Sequence, residues 1–358
     1  MTTPQSGSES EAPAAATPPA PKRTGFTVDP WDPGYAAALT VEALAELDAT
    51  TAELNLDIEL PADRWRPLTP DPVTILPSVL LVADGVRRID ARVWIDDPGG
   101  GMPTPGIATS YASGLVRCDR HDGAVAELAG VQVRRVLFSP SPHAPDIATP
   151  AGAYPARPAA NGTPEQLSLA LQQQLTELEV ALAVDYRDRA ASTLGDDPDL
   201  LLVDGPLRGR THLPRTVGYV KTHQTAYLSG AQAAVVSTLR PAERTPVFYM
   251  GTSWRRHSWY LRLPTRSAAP WAGIVRCEAS ADLSAQAVRA LADVTALLLP
   301  PLAGVEYKDP RAPQNLVPIG GLEKLLRHRL GDSRLLYRAL RAAAMRDGRR
   351  RAGPPAAP

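Results

Sequence analysis

A mixed α/β fold is what this sequence of 358 residues predicts, and three observations carry that expectation. Short apolar runs of strand length follow one another from about 79 to 138 and again from about 199 to 279. Between the two groups lies a stretch, 164–192, with leucines at 171, 175, 178 and 182, the spacing of one helix face. A last group, 284–346, is again helical in pattern. Strands that succeed one another in meanders, with helices inserted between groups, favour a mixed sheet over a doubly wound parallel one.

In order along the chain, residues 1–25 are rich in Pro, Ala and Ser without periodicity, which predicts a disordered tail. A short helix is expected over 40–54, then strands near 79–84, 86–95, 107–118 and 131–138. The long helix 164–192 follows. Strands near 199–204, 215–221, 246–251, 258–263 and 273–279 come next, then helices over 284–299, 317–330 and 333–346. Two Pro- and Gly-rich stretches, 96–106 and 139–162, read as mobile loops, the second dividing the fold into halves. One domain is expected over 26–346, closed by a disordered basic tail over 347–358.

Composition narrows the function. Lys plus Arg (38) balances Asp plus Glu (38), so any affinity for nucleic acid must come from a local patch. Two cysteines, Cys118 and Cys277, stand far apart in apolar runs, which fits buried thiols in a reducing cytoplasm. The stretch "VTALLLPPLAGV" is too short and too interrupted by proline to span a bilayer, so no membrane association is expected. The chain shows no P-loop, GxGxxG, HExxH, GxSxG or CxxC, and its six histidines form no i, i+4 pair.

The residues that call for chemistry are acidic. "VLLVADGVRRIDARVWI" (79–95) and "LLLVDGPLRGR" (200–210) each run an apolar strand into Asp-Gly, at Asp84 and Asp204. Asp-Gly is also a common hairpin turn, so the pattern alone leaves a turn open. On the intervening helix Glu177 falls opposite the leucine stripe, whereas Glu179 and Asp185 flank it on either edge, and the wheel does not choose between them. Carboxylates from separate elements are what metal-assisted phosphodiester hydrolysis needs, because hard oxygen ligands hold Mg²⁺ or Mn²⁺.

These segments, with "TVGYVKTHQTAYL" (216–228) after the second Asp-Gly, resemble the NurA family of DNA repair nucleases, in an actinobacterial-looking branch, from about 79 to 340. The resemblance implies an RNase H-like core related to the PIWI domain, with Mn²⁺ (or Mg²⁺) held by Asp84, Glu179 and Asp204. It prefers Glu179 to Asp185 because "LTELEVALA" resembles the family's Glu-centred helix. It further implies DNA as substrate, and a homodimer working with a hexameric HerA-type ATPase on DNA ends in double-strand break repair.

The chain departs from the family where a motif like "YPxPLxxAH" is usual. Here "APQNLVPIGG" places Ala312 and Gly320 at the Tyr and His positions, so Asp309, Gln314 or Asn315 would have to complete the site. That departure keeps open an alternative, a catalytically reduced, nuclease-derived DNA-binding or scaffold subunit. The first Asp-Gly is followed by Val86 where the family commonly has Ser.

Other polar residues are read from position. Lys221 ends an apolar strand after the second Asp-Gly, where it can meet a scissile phosphate as part of the catalytic set. Arg87 and Arg88 alternate faces, so one of them at most faces the centre. "SWRRHSWYLRLP" (253–264) mixes Arg255, Arg256 and Arg262 with Trp254, Trp259 and Tyr260, a composition suited to nucleic acid but also to a core strand. From Glu323 to Arg351 ten Lys and Arg stand against three acids, a basic C-terminal strip.

Overall fold

The computed structural model describes residues 25–28, 53–120, 126–190, 199–221, 227–267, 271–305, 307–309 and 311–352. Its strands are β1 (Phe26–Val28), β2 (Glu53–Asn55), β3 (Val79–Ile95), β4 (Thr104–Asp119), β5 (Ala126–Ser139), β6 (Ile147–Thr149), β7 (Gly152–Tyr154), β8 (Ala156–Pro158), β9 (Leu200–Asp204), β10 (Thr216–Val220), β11 (Phe248–Gly251), β12 (Arg255–Arg262) and β13 (Ile274–Ser280). The α-helices are α1 (Pro164–Ala190), α2 (Gly230–Thr238), α3 (Ala285–Leu298), α4 (Val317–Arg329) and α5 (Ser333–Ala352).

Eleven strands form one mixed sheet in the order β2-β11-β12-β13-β10-β9-β3-β4-β5-β8, with β1 paired to the far end of β3. The chain first makes the antiparallel meander β3-β4-β5, then crosses over through α1 and lays β9 parallel to β3. β10 adds parallel to β9, and β13, β12, β11 and β2 continue antiparallel. β9 is thus flanked by parallel partners on both sides, which demands burial on both faces.

The residues deliver that burial. Leu81, Ala83, Leu201 and Val203 point to one face, where Leu182 and Ala183 of α1 cover them. Leu80, Val82, Leu200, Leu202 and Val217 point to the other, under Val288, Ala292 and Ala296 of α3 and Ile319, Leu322 and Leu326 of α4. Each Leu, Ile or Val side chain so withdrawn from water contributes about 1.5–3 kcal/mol, which fixes the register of β3 against β9. α3 starts where Ser284 caps it, its hydroxyl accepting from the Ala287 N–H at 3.2 Å.

Several expectations are corrected. The runs 79–84 and 86–95 are a single strand of 17 residues, because Gly85 stays in register opposite Ser113, so the first Asp-Gly is no turn. A bulge between Ile89 and Ala91 supplies the only irregularity in the pairing of β3 with β4. The stretch 139–162 does not divide the fold: it contains the β6-β7 hairpin, and β8 joins the sheet beside β5. The end of the helix expected over 40–54 is strand β2, and its earlier part lies outside the described residues. α2 occupies a span where no helix was expected. α5 runs on to Ala352, past the start of the expected basic tail, while the N-terminal tail up to residue 24 lies outside the described residues. Among the described residues no helix is long and apolar enough to cross a membrane.

Candidate active site

The C-terminal end of β9 is a notch: β9 stops at Asp204 while its neighbour β3 continues for eleven residues beyond Asp84. The last paired rung of these parallel strands is Ala83 with Val203, so Asp84 and Asp204 stand one step further on, side by side. Adjacent strands lie about 4.8 Å apart and paired residues share a face, so both carboxylates project toward the α3 and α4 side. Gly205 follows at φ 96, a conformation that favours glycine, with its N–H donating to the Tyr219 carbonyl of β10 at 2.8 Å.

Glu179 enters from the α1 side. Glu179 is 5% exposed, while Asp185 is exposed, as is Glu177. Of the two acids that the helical wheel left open, Glu179 is the one turned inward. Its access depends on a glycine: a Cβ on Gly85 would stand 2.5 Å from Glu179 Oε1 and 2.7 Å from Leu175 Cδ1. The first Asp-Gly is thus an aspartate facing one side of the sheet and a vacancy for glutamate on the other.

Two cations meet these acids. Lys221 Nζ donates to Asp204 Oδ2 at 2.7 Å and to Asn315 Oδ1 at 3.0 Å. Asn315, buried, donates through Nδ2 to Asp309 Oδ2 at 2.6 Å. Tyr219 fastens the same segment to the sheet, its hydroxyl donating to the Gln314 carbonyl at 2.6 Å. Arg210, from the β9-β10 connection, forms a buried ion pair with Glu179 Oε2 and donates to the Pro206 carbonyl at 3.0 Å.

The electrostatics follow from this crowding. Burial, and next the charge of Asp204, hold the Asp84 carboxyl well above the usual carboxylate range, with Lys221 opposing and Glu179 adding to the rise. Glu179 is also raised, chiefly by burial, although Arg210 works against it. Asp309 is drawn down to about 2, first by the Asn315 amide and then by contacts with Arg311.

Asp204, Lys221, Asn315 and Asp309 are therefore joined by direct contacts, with Asp84 on the strand beside Asp204, while Glu179 approaches through Gly85 from the other face. Gly320, on α4, leaves the space they use, since a Cβ there would come within 3.1 Å of Asn315 Nδ2. The arginines expected to meet DNA are divided. Arg255 is exposed at the start of β12. Arg256 corrects the expectation: it is buried, ion-paired with Glu278 Oε1 at 2.9 Å and stacked 4.2 Å over the Trp254 ring. Arg262, Trp259 and Tyr260 are buried too, so this strand is core. Arg87 is half-buried on the α1 face, and Arg88 is bound to Asp90 and the Gly331 carbonyl. The "TH" that follows Lys221 lies outside the described residues.

Sequence reasoning missed Arg210. The signal was weak, because "PLRGR" offers Arg208 and Arg210 alike, and only the fold turns the second inward. It also missed Glu278, which takes the Leu207 N–H at 3.0 Å and braces the turn after Asp204.

The donor set suits a hard divalent cation in part. Asp84 and Asp204 present oxygen ligands whose mutual repulsion a cation would relieve, and Mg²⁺ commonly uses one or two carboxylates plus substrate phosphate. Glu179 is committed to Arg210, and among the described residues no three His, Cys, Asp or Glu side chains are gathered to hold a metal. No protein-family model matches the chain, and no curated protein matches it significantly.

Proposed function

We propose that the chain is a metal-dependent DNA nuclease with an RNase H-like core, acting on DNA ends in double-strand break repair. The observation that carries this reading is the pair of aspartates on adjacent parallel strands, with Lys221 beside them. The core assignment is supported by the central order β5-β4-β3-β9-β10, an antiparallel meander extended by two parallel strands after a helical crossover. A partnership with a HerA-type ATPase and homodimerisation belong to the same proposal and rest on the resemblance of the two Asp-Gly segments.

Asp84 and Asp204 would hold Mn²⁺ or Mg²⁺, with Glu179 as a third oxygen once Arg210 is drawn off. The ion, when bound, supplies Lewis-acid charge at phosphorus and makes water more acidic. The chain's own residues do the rest. Lys221 lies within reach of a phosphate oxygen beside Asp204 and can neutralise charge as it develops there. Asn315 and Asp309 orient the Lys221 ammonium, and Gly320 keeps room for them. They take the place that the "YPxPLxxAH" motif fills in the family.

A second reading, a nuclease-derived DNA-binding or scaffold subunit, is favoured by one observation: Glu179 and Asp204 already carry internal cations. The purified chain, incubated with linear DNA in Mn²⁺ or in EDTA, separates the two. The nuclease reading expects cleavage in Mn²⁺, none in EDTA, and loss in Asp204→Asn. Binding without cleavage under every metal supports the scaffold. Cleavage that survives Asp84→Asn combined with Asp204→Asn overturns the proposed site.

A further inference from the structure

Beside the acidic notch, the segment leading into α4 carries an aromatic ring that does nothing for the fold. Tyr307 is 82% exposed, so its ring is open to whatever approaches the notch. Lys308 stands next to it, its Nζ 5.5 Å from the ring centroid. Val305 and Val317, on the same stretch of chain, are exposed as well.

The backbone on either side of the ring is tied by hydrogen bonds to the segment that reaches the acids. The Gly304 N–H donates to the Pro313 carbonyl at 3.1 Å, the Lys308 N–H to Val305 at 2.8 Å, and the Ala312 N–H to Asp309 at 3.0 Å. Gly304 also lets the chain fold on itself, since a Cβ there would stand 2.3 Å from the Asn315 carbonyl oxygen. From Asp309 the contacts run through Asn315 and Lys221 to Asp204. Two Cα steps of about 3.8 Å separate Tyr307 from Asp309, the outer end of that chain of contacts.

We propose that Tyr307 and Lys308 form a docking element for unpaired nucleic acid, Tyr307 stacking on a base and Lys308 meeting the adjoining phosphate. An exposed ring offers every base the same π-face, and a base can accept it only when it is not stacked within a duplex. Burial of the acids agrees with this choice. Asp84 is 7% exposed and Glu179 5%, so the strand must be drawn below the surface, which a single strand does without unpairing. The element rests on the nuclease or DNA-binding reading of the neighbouring site, and it names the form of substrate that site receives.

The test is anisotropy with a fluorescein-labelled oligo(dT) and with a blunt duplex of equal length, both in EDTA so that neither is cut. Wild type is expected to bind the single strand more tightly. Tyr307→Ala should weaken that binding about tenfold, Tyr307→Phe should restore it, and duplex binding should barely change. Lys308→Ala should lower the slope of log affinity against log salt by about 0.7, one phosphate on a single strand. Single-strand affinity that is equal in wild type and Tyr307→Ala overturns the element while leaving the nuclease reading intact. A wild type that binds neither DNA and cuts neither in Mn²⁺ overturns both.

Discussion

Arg210→Met is the most informative perturbation of the site, because the structure fixes both its size and its pH dependence. The Arg210 and Glu179 side chains are each 6% exposed, so removing the arginine leaves a carboxylate enclosed without its cation. Breaking a buried pair in this way costs about 3–5 kcal/mol if the charge stays. The alternative is for Glu179 to take a proton. Starting from the ordinary value of 4.5, protonation at pH 7.5 spans three units of about 1.4 kcal/mol each, about 4 kcal/mol in all. At pH 5.5 it spans one unit, about 1.4 kcal/mol. The cheaper route decides, so the destabilisation should be about 3–4 kcal/mol at pH 7.5 and fall to about 1.4 kcal/mol at pH 5.5. The sign agrees with the direction at Glu179. A carboxyl raised in the folded state costs stability above its unfolded value, and the cost disappears as pH falls to that value. Urea denaturation of wild type and Arg210→Met, compared at each pH, measures it. Pairing Arg210→Met with Glu179→Gln should recover most of the loss, since neither charge then remains. A loss of equal size at both pH values would refute the reasoning, because it would mean that packing alone had been removed.

Other outcomes follow from the same geometry. Asp84→Asn should raise the melting temperature of the metal-free protein at pH 8 and leave it unchanged at pH 4, because burial and Asp204 raise the Asp84 carboxyl in the folded state. Gly85→Ala should cost about 1–3 kcal/mol in urea denaturation, as its Cβ must displace Glu179 and Leu175. Lys221→Met should lower Mn²⁺-dependent cleavage and move the acid limb of its pH profile upward, since Lys221 is the charge that holds Asp84 down. An unchanged profile would place Lys221 outside the reaction. Asn315→Ala or Asp309→Ala should reduce cleavage at least about tenfold, a barrier change of about 1.4 kcal/mol. If both cut like wild type, the segment before α4 has no part in the chemistry.

Most strands and helices were legible along the chain, because their signals are local. The leucines of α1 and the apolar run 200–203 each depend on neighbours within a turn or a strand. Asp84 and Asp204 were legible for the same reason, as acids attached to apolar runs. What the chain could not show is whatever depends on pairing between distant segments. Asp-Gly at 84 read as a strand end, yet Gly85 lies mid-strand, because the length of β3 is set by its partner β4. Arg255 and Arg256 read alike, and only the packing of β12 between β11 and β13 turned one outward and gave the other to Glu278. Arg210 reaches Glu179 across 31 positions. Asn315 reaches Lys221 across 94. By itself the sequence determined which residues are apolar, which carry charge and where helices and strands can start. The tertiary structure decided which charges meet, because an ion pair depends on distance in space, and no local pattern encodes the distance between segments that the sheet brings together.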